Sequence, residues 1–181
     1  MSTPQWNDTF MRLFTEAVDR FHQGHTRWQD IFTAPEIEFL ATIGYRTREM
    51  FDFVEDFAQE GDPSPTTALL VASVRRDFFL TAQRGIVSNT TLITVNELPT
   101  FGDEVHGIAY LPRIIKKAEG KLYGNLDPDI MYCCGGDRKF LREHGNIHPA
   151  DFLRMIWGAK GDRQKIVTYV LNAMKNAGQE G

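Results

Sequence analysis

The stretch Leu111-Pro112-Arg113-Ile114-Ile115-Lys116-Lys117-Ala118, followed after a gap by Tyr132-Cys133-Cys134-Gly135-Gly136-Asp137-Arg138, decides how the chain is read. Pro112 stands where helices begin, Ile114, Ile115, Ala118 and Leu122 recur at helical spacing, and Gly124 ends the run. Arg113, Lys117 and Lys121 repeat every four residues on another side, with Lys116 beside them. Asp127-Pro128 then breaks the chain, Gly135-Gly136 allows a tight turn, and Asp137 is a good N-cap for a helix through Phe140 and Leu141 to Gly145. The stretch therefore predicts a basic helix, a loop carrying both cysteines, and the start of a second helix.

Helical patterning extends outward in both directions. Phe10, Leu13, Phe14, Ala17, Val18 and Phe21 predict a first helix capped at Asn7 or Asp8 and ended by Gly24. Thr33-Ala34-Pro35-Glu36 is a capping box with Pro in the first turn, opening a short helix to about Thr42, closed by Gly44. In the third, Met50, Phe51, Val54, Phe57 and Ala58 face inward, while Glu49, Asp52, Glu55 and Asp56 form an outward acidic face. Ser64-Pro65 opens a fourth that carries Arg75 and Arg76 and runs to Gly85. Beyond the cysteine loop, Pro149 opens a helix with Phe152, Leu153, Ile156 and Trp157, and Gly161-Asp162 introduces the last.

The pattern changes between Ile86 and His106. Thr90-Thr91-Leu92-Ile93-Thr94-Val95 is β-branched, but a lone strand lacks a partner, so an extended arm is expected. The predicted fold is all-α, with seven to eight short helices. Residues 1–85 form an acidic helical unit, 86–106 a connecting arm and 107–181 a basic helical domain. An internal echo supports two related three-helix units. Phe39-Leu40-x-x-x-Gly44 recurs as Phe140-Leu141-x-x-x-Gly145, and Gly61-Asp62 recurs as Gly161-Asp162. Shared helix punctuation alone would also produce it.

Composition bounds the rest. The chain has 181 residues, 42% hydrophobic and 24% charged, as in an ordinary globular protein, with thirteen Phe adding aromatic bulk. The longest apolar run, Ala68-Leu69-Leu70-Val71-Ala72, is far too short for a bilayer span, and the N-terminal stretch has no signal-peptide pattern. With two adjacent cysteines and no disulfide framework, the chain reads as cytoplasmic. The net charge of −4 hides an asymmetry. Residues 1–106 hold eight arginines, no lysine and sixteen acids, whereas residues 107–181 hold twelve basic and eight acidic residues. Such a split suits two surfaces with different partners, or two halves that complement each other.

The cysteine loop carries the chemistry. Adjacent Cα atoms stand about 3.8 Å apart, below the roughly 4.4 Å minimum of ordinary disulfides, so Cys133 and Cys134 are expected as free thiols. A thiol before a helix N-terminus, near Arg138 and a lysine-bearing helix, should have a lowered pKa. Arg113, Lys116, Lys117, Gly135, Gly136 and Arg138 are the candidate ligand-binding residues, able to meet a phosphate or carboxylate. Cys133, Cys134 and Asp137 are the candidate catalytic residues, although no general base is evident. The bland alternative is a buried Cys pair beside a Gly-Gly-Asp turn, with Asp137 paired to Arg113 or Arg138. No metal site is expected, because the cysteines lack zinc spacing and Gly145 and Pro149 separate His144 from His148.

The run Gly107 to Ala118, with Cys134-Gly135-Gly136-Asp137-Arg138-Lys139-Phe140-Leu141 and Asp151-Phe152-Leu153, resembles the bacterial domain-of-unknown-function family numbered 5069. The resemblance covers residues 105–175 and leaves 1–104 as an N-terminal extension. It implies a small bacterial helical protein and supplies no activity or cofactor. Three functions follow as expectations. The first is a binding or adaptor protein that receives a small anionic ligand or an acidic protein segment at the basic helix and cysteine loop. The second is a thiol-dependent enzyme using Cys133 or Cys134. The third, weakened by the acidic net charge, is nucleic-acid binding through the basic half. Cofactor and oligomeric state are left open.

Overall fold

Caps and glycine stops place the helices, and burial of their apolar sides holds them. The computed structural model describes residues 5–178. Among these the fold is all-α, with eight α-helices and one two-stranded sheet. No helix among them is long and apolar enough to cross a membrane. The chain divides into two compact units, one ending at Val87 and the other beginning at Ser88.

In the first unit α1 (Trp6–His22) buries Phe10, Leu13, Phe14, Ala17 and Val18. Its N-cap is Gln5, so Asn7 and Asp8 sit in the first turn, where Asp8 complements the helix dipole instead of capping it. In α2 (Ala34–Thr42) the Glu36 carboxylate accepts the Thr33 N–H at 2.7 Å, as the capping box predicts. The same carboxylate receives both terminal nitrogens of Arg20, at 2.7 and 2.8 Å, tying α1 to α2. α3 (Thr47–Glu60) packs on α1 and corrects the expected acidic face, since Glu49 and Asp52 are each only 6% exposed. Both have cationic partners nearby: Glu49 accepts the Arg46 backbone N–H at 2.9 Å and lies 3.6 Å from the Arg46 guanidinium, and Asp52 lies 2.9 Å from the Arg48 guanidinium. Paired carboxylates can be buried where single ones cannot. Ser64 caps α4 (Pro65–Thr81), which ends four residues before the predicted Gly85. Arg75 is buried on α4 and donates to Gln83 at 2.7 Å, its guanidinium 5.4 Å from the Phe79 ring centre.

The second unit begins with the extended segment. The expectation of a strand without a partner is corrected, because Ile93 forms a parallel bridge with Leu126. Its N–H donates to the Asn125 carbonyl at 2.8 Å, and its carbonyl accepts from the Asp127 N–H at 3.0 Å. A single turn of 3-10 helix (Val95–Glu97) follows, then β1 (Glu104–Val105) pairs antiparallel with β2 (Ile108–Ala109). His106 and Gly107 join them with φ of 51° and 75°. Two positive φ values in a two-residue connection match the twist of hairpin strands.

α5 (Leu111–Tyr123) buries Leu111, Ile114, Ile115, Ala118 and Leu122 and packs on α7 (Pro149–Ala159), which in turn packs on α8 (Arg163–Ala177). α6 (Gly135–Glu143) contributes Phe140 and Leu141. The side chain of His148 caps α7, and that of Asp162 caps α8 by accepting from Gln164 and Lys165. Gly145 requires its hydrogen: φ is 99°, and a Cβ would overlap the backbone of Ala173 on α8.

Candidate functional site

The site is assembled where the start of α5, the middle of α5 and the N-terminus of α6 meet. Tyr110 precedes α5 in the left-handed region, with φ of 70°. Its carbonyl accepts from the N–H groups of Arg113 and Ile114, so the helix starts on it while its ring turns aside. The ring stacks on Phe101 with centroids 5.9 Å apart and tilts against Phe140 at 5.5 Å. Lys117 lies one and a half turns into the helix and is 4% exposed. Cys133 adopts a left-handed φ of 73°, an uncommon state for a residue with a Cβ. Both sides of that residue are pinned: its N–H donates to Asp137 Oδ2 at 2.8 Å, and its carbonyl accepts from Arg138 Nη1 at 2.8 Å. This turn brings Cys134 to the N-cap of α6, with Gly135 and Gly136 exposed behind it.

Asp137 is the hub. It is fully buried and sits in the first turn of α6, not at the cap, which corrects the expected N-cap role. Its Oδ1 accepts the Tyr110 hydroxyl at 2.8 Å, and its Oδ2 accepts Lys117 Nζ at 2.6 Å. Lys117 Nζ also donates to Cys134 Sγ at 3.2 Å. A carboxylate in the first turn of a helix gains from the dipole, and here it also satisfies three donors. Burial, reinforced by the Asp137 charge, pushes the Tyr110 phenol well above its ordinary value, so the hydroxyl remains a donor. Because Asp137 neutralises Lys117, the ammonium brings Cys134 a directed hydrogen bond and no net positive charge.

The two thiols differ. Cys133 is fully buried, and burial, with the Asp137 charge adding and Arg138 opposing, pushes its thiol well up. The lowered pKa expected from its place before a helix is corrected for Cys133, since desolvation outweighs the helix terminus. Cys134 is half-buried and reaches solvent. Gly136 supports this arrangement, because a Cβ there would come within 3.2 Å of the Tyr110 hydroxyl.

The predicted cationic cradle is largely consumed inside the unit. Arg113 donates to the Pro99 carbonyl at 2.7 Å and lies 4.4 Å over the ring centre of Phe101, which is 70% exposed. Lys117 and Lys121, expected on a basic face, are both buried, and Arg138 is engaged with the Cys133 carbonyl. Asp137 is ion-paired to Lys117, a partner that the bland alternative did not name. Lys116 stays half-buried near Glu97, one of the groups that hold that carboxyl below its ordinary value after the dominant Thr94 hydrogen bonds. His144 stacks on Phe140 with centroids 4.0 Å apart. Among the described residues no group of three His, Cys, Asp or Glu side chains gathers as a metal cage. Tyr110 escaped the sequence reading, because its role comes from a backbone turn that no spacing rule reveals. An open hollow of about 400 Å³ lies on α7 and α8, lined by Met155, Lys165, Thr168, Tyr169 and Asn172 among others, and includes no candidate residue.

Comparison of the chain with family models, with curated proteins and with solved structures gave no match.

Proposed function

We propose that the C-terminal unit carries a thiol-dependent function in which Cys134 is the reacting group and Lys117, Asp137 and Tyr110 position it. The observation that carries this reading is the sharing of Lys117 Nζ between Asp137 Oδ2 at 2.6 Å and Cys134 Sγ at 3.2 Å. A buried ion pair is a poor device for stability, since well-packed apolar groups of the same size do as well or better. This pair is placed where a second N–H of Lys117 meets the sulfur of half-buried Cys134. Negative charge left on Sγ once the thiol has lost its proton, ahead of attack on an electrophile, meets an N–H already aimed at it, and hydrogen bonds to a charged partner are the strong ones. Gly135 and Gly136, which follow Cys134, are exposed and add no side chain beside it.

The binding or adaptor reading keeps the exposed start of α6 in its favour. It loses Arg113, Lys117 and Arg138 to internal partners, and Asp137 already sets a negative charge in that first turn. Nucleic-acid binding loses the same cations. A reducing cytoplasmic setting and membership of the bacterial family numbered 5069 complete the proposal, and both fit free thiols in a helical unit.

Peptide mapping after limiting iodoacetamide treatment of the reduced native protein tests the reading. Cys134 should take the label while Cys133 takes it only after denaturation. A native protein in which Cys134 resists the reagent as Cys133 does contradicts it.

A further inference from the structure

We infer that Lys117 and Cys134 are the two ends of an oxidative cross-link: once a hydroperoxide oxidises the thiol, Lys117 Nζ bonds covalently to Cys134 Sγ. This rests on the reading that Cys134 is the reacting thiol, and adds how the site is regulated. The nitrogen already lies 3.2 Å from the sulfur it would attack, held there by the 2.6 Å contact to Asp137. Its rivals are poorly placed. The Cys133 thiol is fully buried and kept protonated. A disulfide between adjacent residues needs Cα atoms farther apart than the roughly 3.8 Å that one trans peptide allows.

The chemistry balances. Attack by Sγ on the hydroperoxide forms an S–O bond and breaks the O–O bond, and the second oxygen leaves as water or an alcohol, giving a sulfenic acid at Cys134. Sulfenic acids condense with thiols and with nitrogen nucleophiles. Asp137 takes a proton from the Lys117 ammonium, which frees the nitrogen lone pair. That nitrogen attacks Sγ, the S–N bond forms and the S–O bond breaks, and the departing hydroxide takes a second proton from nitrogen to leave as water. Before the step the buried pair is an ammonium and a carboxylate. After it the pair is an uncharged sulfenamide and a neutral carboxylic acid, so no unpaired charge is left in the interior. An added thiol reverses the step: a disulfide to the thiol forms, the S–N bond breaks, and the amine regains its proton from Asp137. The bridge joins α5 to the N-cap of α6 and removes Cys134 from reaction.

The test is hydrogen peroxide treatment of the reduced native protein, read by intact mass and by peptide mapping. The expected product has lost two hydrogens, joins the Lys117 peptide to the Cys134 peptide, and reverts with dithiothreitol. Cys133→Ser should keep the mass loss, and the double variant Lys117→Met, Asp137→Asn should abolish it. Mapping the wild type alone decides the matter if that variant fails to fold. A Cys133–Cys134 disulfide, a bond from Cys134 to the Gly135 nitrogen, or a sulfinic acid beside an unmodified Lys117 would each overturn the inference. Any of these in a protein whose Cys134 still takes iodoacetamide leaves the reading of Cys134 intact. A Cys134 inert to both reagents overturns both.

Discussion

Residues 5–87 and the unit that begins at Ser88 share a helical plan but use their buried charges differently. In each, a long first helix packs on the third, a nine-residue second helix ends near a positive-φ glycine, and the third runs into Gly-Asp. Gly44 faces the Phe79 ring on α4, and Gly145 faces the Ala173 backbone on α8, so each glycine lets a loop lie against the fourth helix. In the N-terminal unit the buried acids Glu49 and Asp52 have arginines of their own helix end as ion-pair partners, and the Glu49 charge also reaches buried Arg75 of α4. In the C-terminal unit Asp137, Lys117 and Tyr110 come from α5 and α6 and converge beside one thiol. The difference is the thiol: only the second cluster of buried charge directs a hydrogen bond to a sulfur.

Removing the hub should have the largest effect. Asp137→Ala strands the Lys117 ammonium, the Tyr110 hydroxyl and the Cys133 N–H in the interior, and should cost about 3–5 kcal/mol in denaturant unfolding. Replacing both charges with apolar groups, Lys117→Met with Asp137→Leu, should cost much less than Asp137→Ala alone. Equal costs would mean that the pair stabilises the fold for its own sake. The two glycines come next. Gly145→Ala meets backbone and should lose about 3 kcal/mol, while Gly44→Ala meets a ring that can shift and should lose about 2 kcal/mol. The reverse order in thermal or urea unfolding would break the parallel between the units.

The smallest effect lies in the N-terminal unit. Burial pushes the Glu36 carboxyl up, but hydrogen bonds from Arg20 and Thr33 outweigh it and hold the group below its ordinary value. A depressed folded pKa gives stability that is present above the unfolded value of about 4.3 and is lost as pH falls through the folded value. Glu36→Gln should therefore cost ~1 kcal/mol near neutral pH, with the gap to wild type closing in acid. A gap independent of pH would remove the carboxylate from the account.

The helices were legible because caps and glycines are local signals. Thr33 with Glu36, Ser64-Pro65, Pro149 and Asp162 each act within one turn of where they stand. Polar burial was not legible, because it depends on partners brought from elsewhere. Lys117 and Asp137 are twenty residues apart, and nothing in either segment marks them as a pair. The thiols showed the same limit: the sequence placed both cysteines at a helix start, but only the left-handed turn at Cys133 sends one inward and the other to the surface. The hairpin at His106-Gly107 went unread because histidine is an unusual first residue for such a turn.

The central claim, that the buried charges of the C-terminal unit serve Cys134, is tested most directly by the alkylation rate of Cys134 in native wild type and in the Lys117→Met, Asp137→Asn variant. This variant removes the ammonium hydrogen bond to sulfur without leaving an unpaired buried charge. The account predicts that Cys134 reacts at least tenfold more slowly in the variant, the change a lost hydrogen bond to a charged group of about 1.5 kcal/mol would give, while Cys133 stays unlabelled in both. Equal Cys134 rates in two folded proteins would contradict it.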